Sequence, residues 1–400
     1  MAAPISTDAV CEIVAAAHEA RTALEIRGNG TKAGIGGNVR ASQTIELTNL
    51  SGILEYEMAE LVLTARAGTR LAEIEAALAA NNQMLAFEPA DYGPLLGHAA
   101  NAATIGGVLA GNIAGPRRLK DGAARDHFLG FTAVSGRGEV FKAGGKVVKN
   151  VTGYDLPKLL AGSWGTLAVM TEVTVKVLPR PATVATVAIA GLSAQDASRA
   201  MSLAMGLPLE ISGAAHLPRW AAATCPAGTV SSANTSMTLL RIDGVAPSVA
   251  ARSQWLRDAL RDFGSAQLWD AAASVELWRH IRDVGPMRGA LDALWRIHVP
   301  PMNGWRVHDA LASLGEVRSF QDWAGGLVWL STGSAAQGAA VHAAAQHAGG
   351  HAMLIRAPQA AGDAATAFAP THPALDTLTR RVKAAFDPAN ILNPGRLFGA

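Results

Sequence analysis

Residues 144–181, GGKVVKNVTGYDLPKLLAGSWGTLAVMTEVTVKVLPRP, join a turn of small residues to a long alternating strand. The turn is GSWGT, Gly162 to Thr166, and the strand expected after it runs from Thr166 to Val177. Glycine at 162 and 165 lets the backbone come close to a neighbour where a Cβ would collide. A turn welded to a buried strand is held in place, so its amides point in a fixed direction. That combination suits the grip of a large, planar, phosphate-bearing cofactor, and the rest of the chain must say which.

At 400 residues the chain is too long for one ordinary core, so two domains are expected. Half of the residues are apolar and only 16% are charged, enough to fill sizeable cores. No run of about eighteen apolar residues occurs, which argues against a membrane span. The opening MAAPISTDAVCEIVAAAHEA has no basic leader and carries Asp8, Glu12 and Glu19. It reads as an amphipathic helix rather than a secretion signal, so a cytoplasmic location is expected. A net charge of +2 offers no basic stripe for nucleic acid. The two cysteines, Cys11 and Cys225, fit no metal or redox spacing and cannot supply four thiolates to an iron–sulfur cluster. One-electron transfer onward would need another polypeptide.

The first 180 residues alternate strands and short helices. Thr22–Gly28, Thr44–Leu47 and Leu61–Ala67 read as strands, and Leu71, Ile74 and Leu78 mark a helical stripe. His127–Val134, the turn SGRGE and VFKAG read as a hairpin with Gly136 or Gly138 at positive φ. After Pro179-Arg180-Pro181 the composition changes: eight of the nine tryptophans lie between Trp220 and Trp329. They suggest a separate core or an interface. AGDAATAFAPTH then reads as a linker, and LDTLTRRVKAAF as a basic amphipathic helix stopped by Asp387-Pro388.

RGNGTKAGIGG, Arg27 to Gly37, follows a strand and satisfies the dinucleotide pattern at Gly28, Gly30 and Ala33, with Glu46 downstream. A Rossmann unit nevertheless needs a helix to begin inside the pattern, because the helix N-terminus holds the pyrophosphate. Three further glycines and no apolar stripe follow here. The segment reads as an open loop whose amides form an anion-binding nest, or as a surface turn. ATIGGVLAGNIAGP, Ala103 to Pro116, has glycines at 106, 107, 111 and 115 among apolar residues. It reads as a buried loop completed by a bound cofactor, or as a glycine-kinked strand. DPANILNPGRLF, Asp387 to Phe398, looks like a chain returning to seal a site, or an ordinary tail.

In this order, with a proline near ADYG, these segments resemble the FAD-binding domain of the vanillyl-alcohol oxidase and p-cresol methylhydroxylase type. Within that superfamily they are similar to the E-type subunits of bacterial glycolate oxidases. The resemblance is strong over about 180 N-terminal residues and the last fifteen or so, and is carried in the middle by length and by AGGHAMLIRAP, Ala348 to Pro358. It implies an α+β protein: a two-subdomain FAD-binding domain of the p-cresol methylhydroxylase type over 1–181, a smaller α/β cap over 182–360, and a returning segment over 361–400.

The resemblance further implies that Arg27 and the backbone from Gly28 through Asn29, Gly30 and Thr31 to Lys32 cradle the FAD pyrophosphate. Pro89, Thr104, Ile105, Gly106 and Gly107, with Asn112 and Gly115, would line the phosphates and the isoalloxazine. Gly162, Gly165, Thr166 and Val169 would meet the adenosine and flavin edges through backbone contacts, and Asn393 and Arg396 would close the flavin side. Covalent members place a histidine where this chain has Thr31, and some a cysteine near the second loop, so noncovalent FAD is implied.

The implied role is in a glycolate oxidase complex, oxidising glycolate to glyoxylate beside a D-type flavin subunit and an iron–sulfur subunit. Partners of that kind would be the route to any membrane association. A stand-alone FAD dehydrogenase of another small 2-hydroxy acid and a non-catalytic scaffold are the alternatives. The middle region lacks the HPGDGN-like string of D-type relatives, and no catalytic base is singled out. His342, His347 and His351 cluster, but Gly349-Gly350 spoils a helical metal face, and no metal is expected. Arg296 or Arg306, near His298 and His308 around PPMNGWR, could meet a carboxylate in bidentate fashion.

Overall fold

The structure, a computed structural model, describes residues 1–146, 153–289, 293–357, 367–368 and 372–397. It divides into two compact units. Unit 1 comprises Met1–Ala114, Gly122–Arg180 and Pro370–Ala400; unit 2 comprises Gly115–Asp121 and Pro181–Ala369.

Unit 1 opens with the helix Thr7–Glu19, started by Ser6, whose hydroxyl accepts the Ala9 amide at 3.2 Å. Val10, Val14 and Ala17 recur at helical spacing and are buried, because one face of the helix must be covered. They pack on Leu24, Ile45, Val134 and Val169 and on Ile391 and Leu392 from the returning tail. Leu24–Arg27 and Gln43–Glu46 form a parallel pair, Leu24 opposite Gln43. Five further strands make an antiparallel sheet in the order Ile53–Glu57, Val62–Arg66, Ala168–Lys176, Phe128–Ser135, Val140–Gly144. The hairpin turns through Gly138 at φ +80°, and the expected stripe forms the helix Leu71–Ala79 with Leu71, Ile74 and Leu78 buried.

The strand Ala168–Lys176 shows how parity positions the site. Val169, Thr171, Val173 and Val175 are fully or almost fully buried on one face. Glu172, Thr174 and Lys176 lie half-exposed on the other, where Ala168 and Met170 are also found.

Unit 2 is an eight-stranded sheet in which every neighbouring pair runs antiparallel. Two apolar clusters cover it. One gathers Val187, Ile189, Met201, Leu240, Ile242 and Leu256. The other gathers Trp295, Ile297, Val307, Val328, Leu330 and Val341. Of the eight tryptophans, Trp269, Trp278, Trp295, Trp323 and Trp329 are buried, so most serve this core.

Between the layers runs a buried polar network. Arg117 pairs with Asp243 at 2.7 Å, Ser212 Oγ donates to Asp243 at 2.5 Å, and Arg241 donates to the Ser212 carbonyl at 2.8 Å while lying over the Trp278 ring. Buried charges persist only when paired in this way. Among the described residues, no helix is long and apolar enough to cross a membrane.

Candidate functional site

Three segments of unit 1 line a cleft that opens to solvent. The first is the loop after Leu24–Arg27. It contains turns and no helix, which separates it from a Rossmann unit, and the acid that would have served a ribose there, Glu46, pairs with Arg27 at 3.1 Å. Gly28 is obligatory, because a Cβ would sit 2.2 Å from Thr104 Oγ1. Gly30 has φ +69°, a conformation that costs an ordinary residue strain.

The loop is braced from outside. Arg396 donates to the carbonyls of Ala33 at 2.9 Å and Ile35 at 2.7 Å, Gly37 N donates to the Arg396 carbonyl, and Asn29 Nδ2 donates to the Ala102 carbonyl. The amides of Asn29, Gly30, Thr31 and Lys32 donate to no acceptor among the described residues.

The second segment differs from the buried loop or kinked strand expected of it. Ile105–Ala110 is a short helix with Thr104 as its cap, the Thr104 hydroxyl accepting the Gly107 amide at 3.3 Å. Gly106 lets this helix lie on Ala67: a Cβ would come 2.8 Å from both the Ala67 Cβ and its carbonyl oxygen. An added Cβ on Gly107 would instead meet Thr104 Oγ1 at 3.2 Å and the Lys32 side chain at 3.5 Å.

The third segment is the GSWGT turn. Gly162 and Gly165 have φ +87° and +71°, and Trp164 between them is held at +54°. The amides of Gly162 and Trp164 donate to the carbonyls of Leu109 and Ala110, so the turn is docked on the end of the second segment's helix. Asn393, itself at φ +44°, ties turn to strand: its Nδ2 donates to the Trp164 carbonyl at 2.8 Å, and its Oδ1 accepts the Ile26 amide at 2.7 Å. A Cβ at Gly165 would meet this Nδ2 at 2.8 Å. Below the turn, the buried Lys383 ammonium donates to the carbonyls of Thr166 and Leu392 and pairs with Asp387.

Among the residues named from the sequence, the cleft brings together Arg27, Gly28, Asn29, Gly30, Thr31, Lys32, Thr104, Gly106, Gly107, Gly165 and Arg396. Pro89, Ile105, Asn112, Gly162, Thr166, Val169 and Asn393 stand outside its lining, and Gly115 belongs to unit 2. Val169 faces the apolar core, whereas its neighbours Ala168 and Met170 face the cleft. Those two, with Ile26, Ala33, Leu47, Ala67, Ala110 and Trp164, are lining residues that the sequence reading did not assign to the site. Parity along the strand was the signal for the first two; Ala67 and Ala110 had none beyond small size. Residues 147–152, including Asn150 to Thr152, and Phe398 lie outside the described residues.

The lining contains three cations, Arg27, Lys32 and Arg396, and no carboxylate. Burial pushes the Lys32 pKa down to about 8, against a weaker opposite pull from Asp91. Its only hydrogen-bond partner among the described residues is the Thr31 hydroxyl at 3.2 Å. Unsatisfied amides beside a desolvated ammonium form a seat for a diphosphate, and the small Ala67, Ala110 and Ala168 leave room for a flat ring system. The residues present fit FAD. No histidine or cysteine is among the lining residues.

In unit 2, His347 Nδ1 donates to the Ala343 carbonyl at 2.8 Å, while His351 sits in a strand beside His298, the ring centroids 5.1 Å apart. Among the described residues no group of three or more potential metal ligands occurs.

Comparison with known proteins agrees with this geometry. The family described as FAD binding domain matches residues 1–144, and the C-terminal domain of FAD linked oxidases matches residues 371–397. Glycolate oxidase subunit GlcE of Escherichia coli (strain K12) is 34% identical over 394 residues, 98% of this chain and 97% of that protein. Glycolate oxidase subunit GlcD of Bacillus subtilis (strain 168) is 33% identical over 183 residues, 45% of this chain and 37% of that protein. Among solved structures, p-cresol methylhydroxylase with substrate bound superposes with a TM-score of 0.73 at 14% identity, covering 98% of this chain and 87% of that one.

Proposed function

The chain belongs to the family of FAD-linked oxidoreductases that contains glycolate oxidase subunit GlcE, and from that premise we propose that it is the E-type subunit of a glycolate oxidase complex. In that role it takes part in oxidising glycolate to glyoxylate, with electrons passing to an iron–sulfur subunit beside a D-type flavin subunit. One observation carries the reading. Likeness to GlcE spans both units and the tail, whereas likeness to GlcD stops at 45% of the chain. The part of the chain that the GlcD match leaves uncovered is thus matched by GlcE.

FAD, when bound, supplies the acceptor for the hydride that leaves C2 of a hydroxy acid. The chain's own residues have the work of holding it. The free amides of Asn29 to Lys32 and the Lys32 ammonium would take the pyrophosphate, and Arg396 would keep the loop in shape from behind. Thr31 and a lining without histidine or cysteine support a noncovalent attachment. With two cysteines, the chain needs a partner to carry any cluster.

The test is a visible spectrum of the purified chain, then acid precipitation. Flavin bands that move to the supernatant are expected, and glycolate should bleach them once the D-type and iron–sulfur subunits are added. Bleaching by glycolate without partners would favour the stand-alone dehydrogenase. A protein that stays colourless after incubation with FAD would overturn the reading.

A further inference from the structure

Unit 2 contains one arginine whose situation nothing so far accounts for. Arg296 lies in the middle of the strand Ala293–His298 and is 7% exposed. Its neighbours Trp295 and Ile297 point into the apolar core, so Arg296 and His298 occupy the opposite face of the sheet. Register places Trp329 and Met353 beside Arg296, and Leu327 and His351 beside His298.

The Arg296 side chain has no hydrogen-bond or ion-pair partner among the described residues, and its Nε is sealed from solvent in that state. Leaving a buried guanidinium without an anion is costly, and proteins retain such a group where a ligand supplies the missing charge. Its Nη pair is not sealed in the same way, and those two nitrogens are the fork that matches a carboxylate.

The surroundings hold Arg296 in place without neutralising it. Its Cζ lies 5.2 Å from the centre of the Trp323 ring, over which Arg118 also lies at 4.2 Å. Trp323 is fixed by a hydrogen bond from Nε1 to the Gly115 carbonyl at 2.9 Å. Trp323 and Ala324 both adopt left-handed φ, at 52° and 56°. Two consecutive strained non-glycine residues persist only where the surroundings enforce them, and such strain concentrates at ligand sites. His298 completes the group, edge-on to Trp323 at 5.3 Å and beside His351. Burial first, then the nearby Arg296, depresses the pKa of both imidazoles, which leaves them neutral and able to share a hydrogen with a hydroxyl.

We propose that Arg296 is the carboxylate-holding residue of a site for short 2-hydroxy acids in unit 2, with Trp323 as its platform and His298 and His351 flanking the ligand's hydroxyl. The ligand class rests on the functional reading above; the requirement for an anion rests on Arg296 alone. Arg306, the other arginine singled out from the sequence, lies over Trp305 at 5.3 Å and is not part of this group.

The test is calorimetric titration of the full FAD-loaded chain with oxamate, a small monocarboxylate with no C–H to oxidise, and with glycolamide, which lacks the carboxylate. Oxamate should bind and glycolamide should not. Arg296→Lys should weaken oxamate about tenfold and Arg296→Met about thirtyfold or more, whereas Arg306→Met should stay within about twofold. Circular dichroism establishes that each variant is folded; if Arg296→Met is not, Arg296→Lys decides. Wild-type affinity in a folded Arg296 variant, or no oxamate binding by the wild type, overturns the proposal. Loss of oxamate binding in the Arg296 variants of a chain that glycolate never bleaches, partners included, leaves the site standing and removes the oxidase reading. Bleaching with unchanged oxamate affinity does the reverse.

Discussion

The cleft of unit 1 is lined by backbone and small side chains, whereas the polar interior of unit 2 is made of long side chains that reach one another across a sheet. In the cleft, glycine matters because of what lies against it: Thr104 at Gly28, Ala67 at Gly106, Asn393 at Gly165. In unit 2, Arg117, Asp243, Ser212 and Arg241 meet through their functional groups. A backbone-built site tolerates change in most side chains but no added Cβ. A network of buried charges has the opposite sensitivity, since removing one partner strands the other.

The difference can be broken experimentally because the two units report separately. Eight of nine tryptophans belong to unit 2, so tryptophan emission follows that unit, while flavin release follows unit 1. The largest expected effect is on the cleft. Gly106→Val or Gly165→Val should abolish flavin retention, since each forces a side chain into space held by Ala67 or by Asn393. Tryptophan-detected melting should hardly move. Retained flavin in both variants would show that the cleft yields where it is described as rigid.

Next in size, Arg117→Met leaves Asp243, 3% exposed, without its closest cation. A loss of about 3 kcal/mol is expected, a fall of about 10 °C in the tryptophan-detected melt. Flavin retention at room temperature should be unchanged, and a melt within about 2 °C of wild type would remove the contrast.

The smallest effect concerns Lys32, the lining cation that has no carboxylate or carbonyl partner among the described residues. Lys32→Met should weaken FAD about tenfold, read by equilibrium dialysis. Because the folded pKa is depressed to about 8 from 10.5, the ammonium is charged in both states below pH 8 and destabilises the empty cleft fully there. That penalty lifts as pH rises from 8 toward 10.5, since the unfolded chain then binds more protons. FAD affinity should run the other way, falling above pH 8 in the wild type. A Lys32→Met protein with the same pH slope would assign the charge elsewhere.

Legibility in the sequence follows the same division. Gly28, Gly30, Gly106 and Gly165 were visible because glycine in a short segment announces close approach or positive φ. The strand and helix assignments of the first 180 residues rested on periodicity and held within a few residues, for example Leu71–Ala79. The helix Ile105–Ala110 was missed because its two glycines weigh against helix locally, while the Thr104 cap and the fit against Ala67 decide the outcome. Val169 is expected at the flavin through its backbone; its side chain turns to the core while those of Ala168 and Met170 face the cleft, as strand alternation requires. The lack of a partner at Arg296 could not be read at all. It depends on register between strands far apart in sequence, here Arg296 with Trp329 and Met353.

The tail that braces the cleft sets the timing of its birth. Asn393 bonds to residues 367 and 229 positions earlier, Arg396 to carbonyls 363 and 361 positions earlier, and Lys383 to one 217 earlier. At about 5–20 residues per second, ribosomes take tens of seconds to travel from the first loop to the segment that holds it. Through that interval the nascent loop has no Arg396 behind it and no Asn393 beside it. Flavin loading before that point would have to do without either brace, and a chain ended before Asn393 is expected to be almost complete in mass yet poor at retaining flavin.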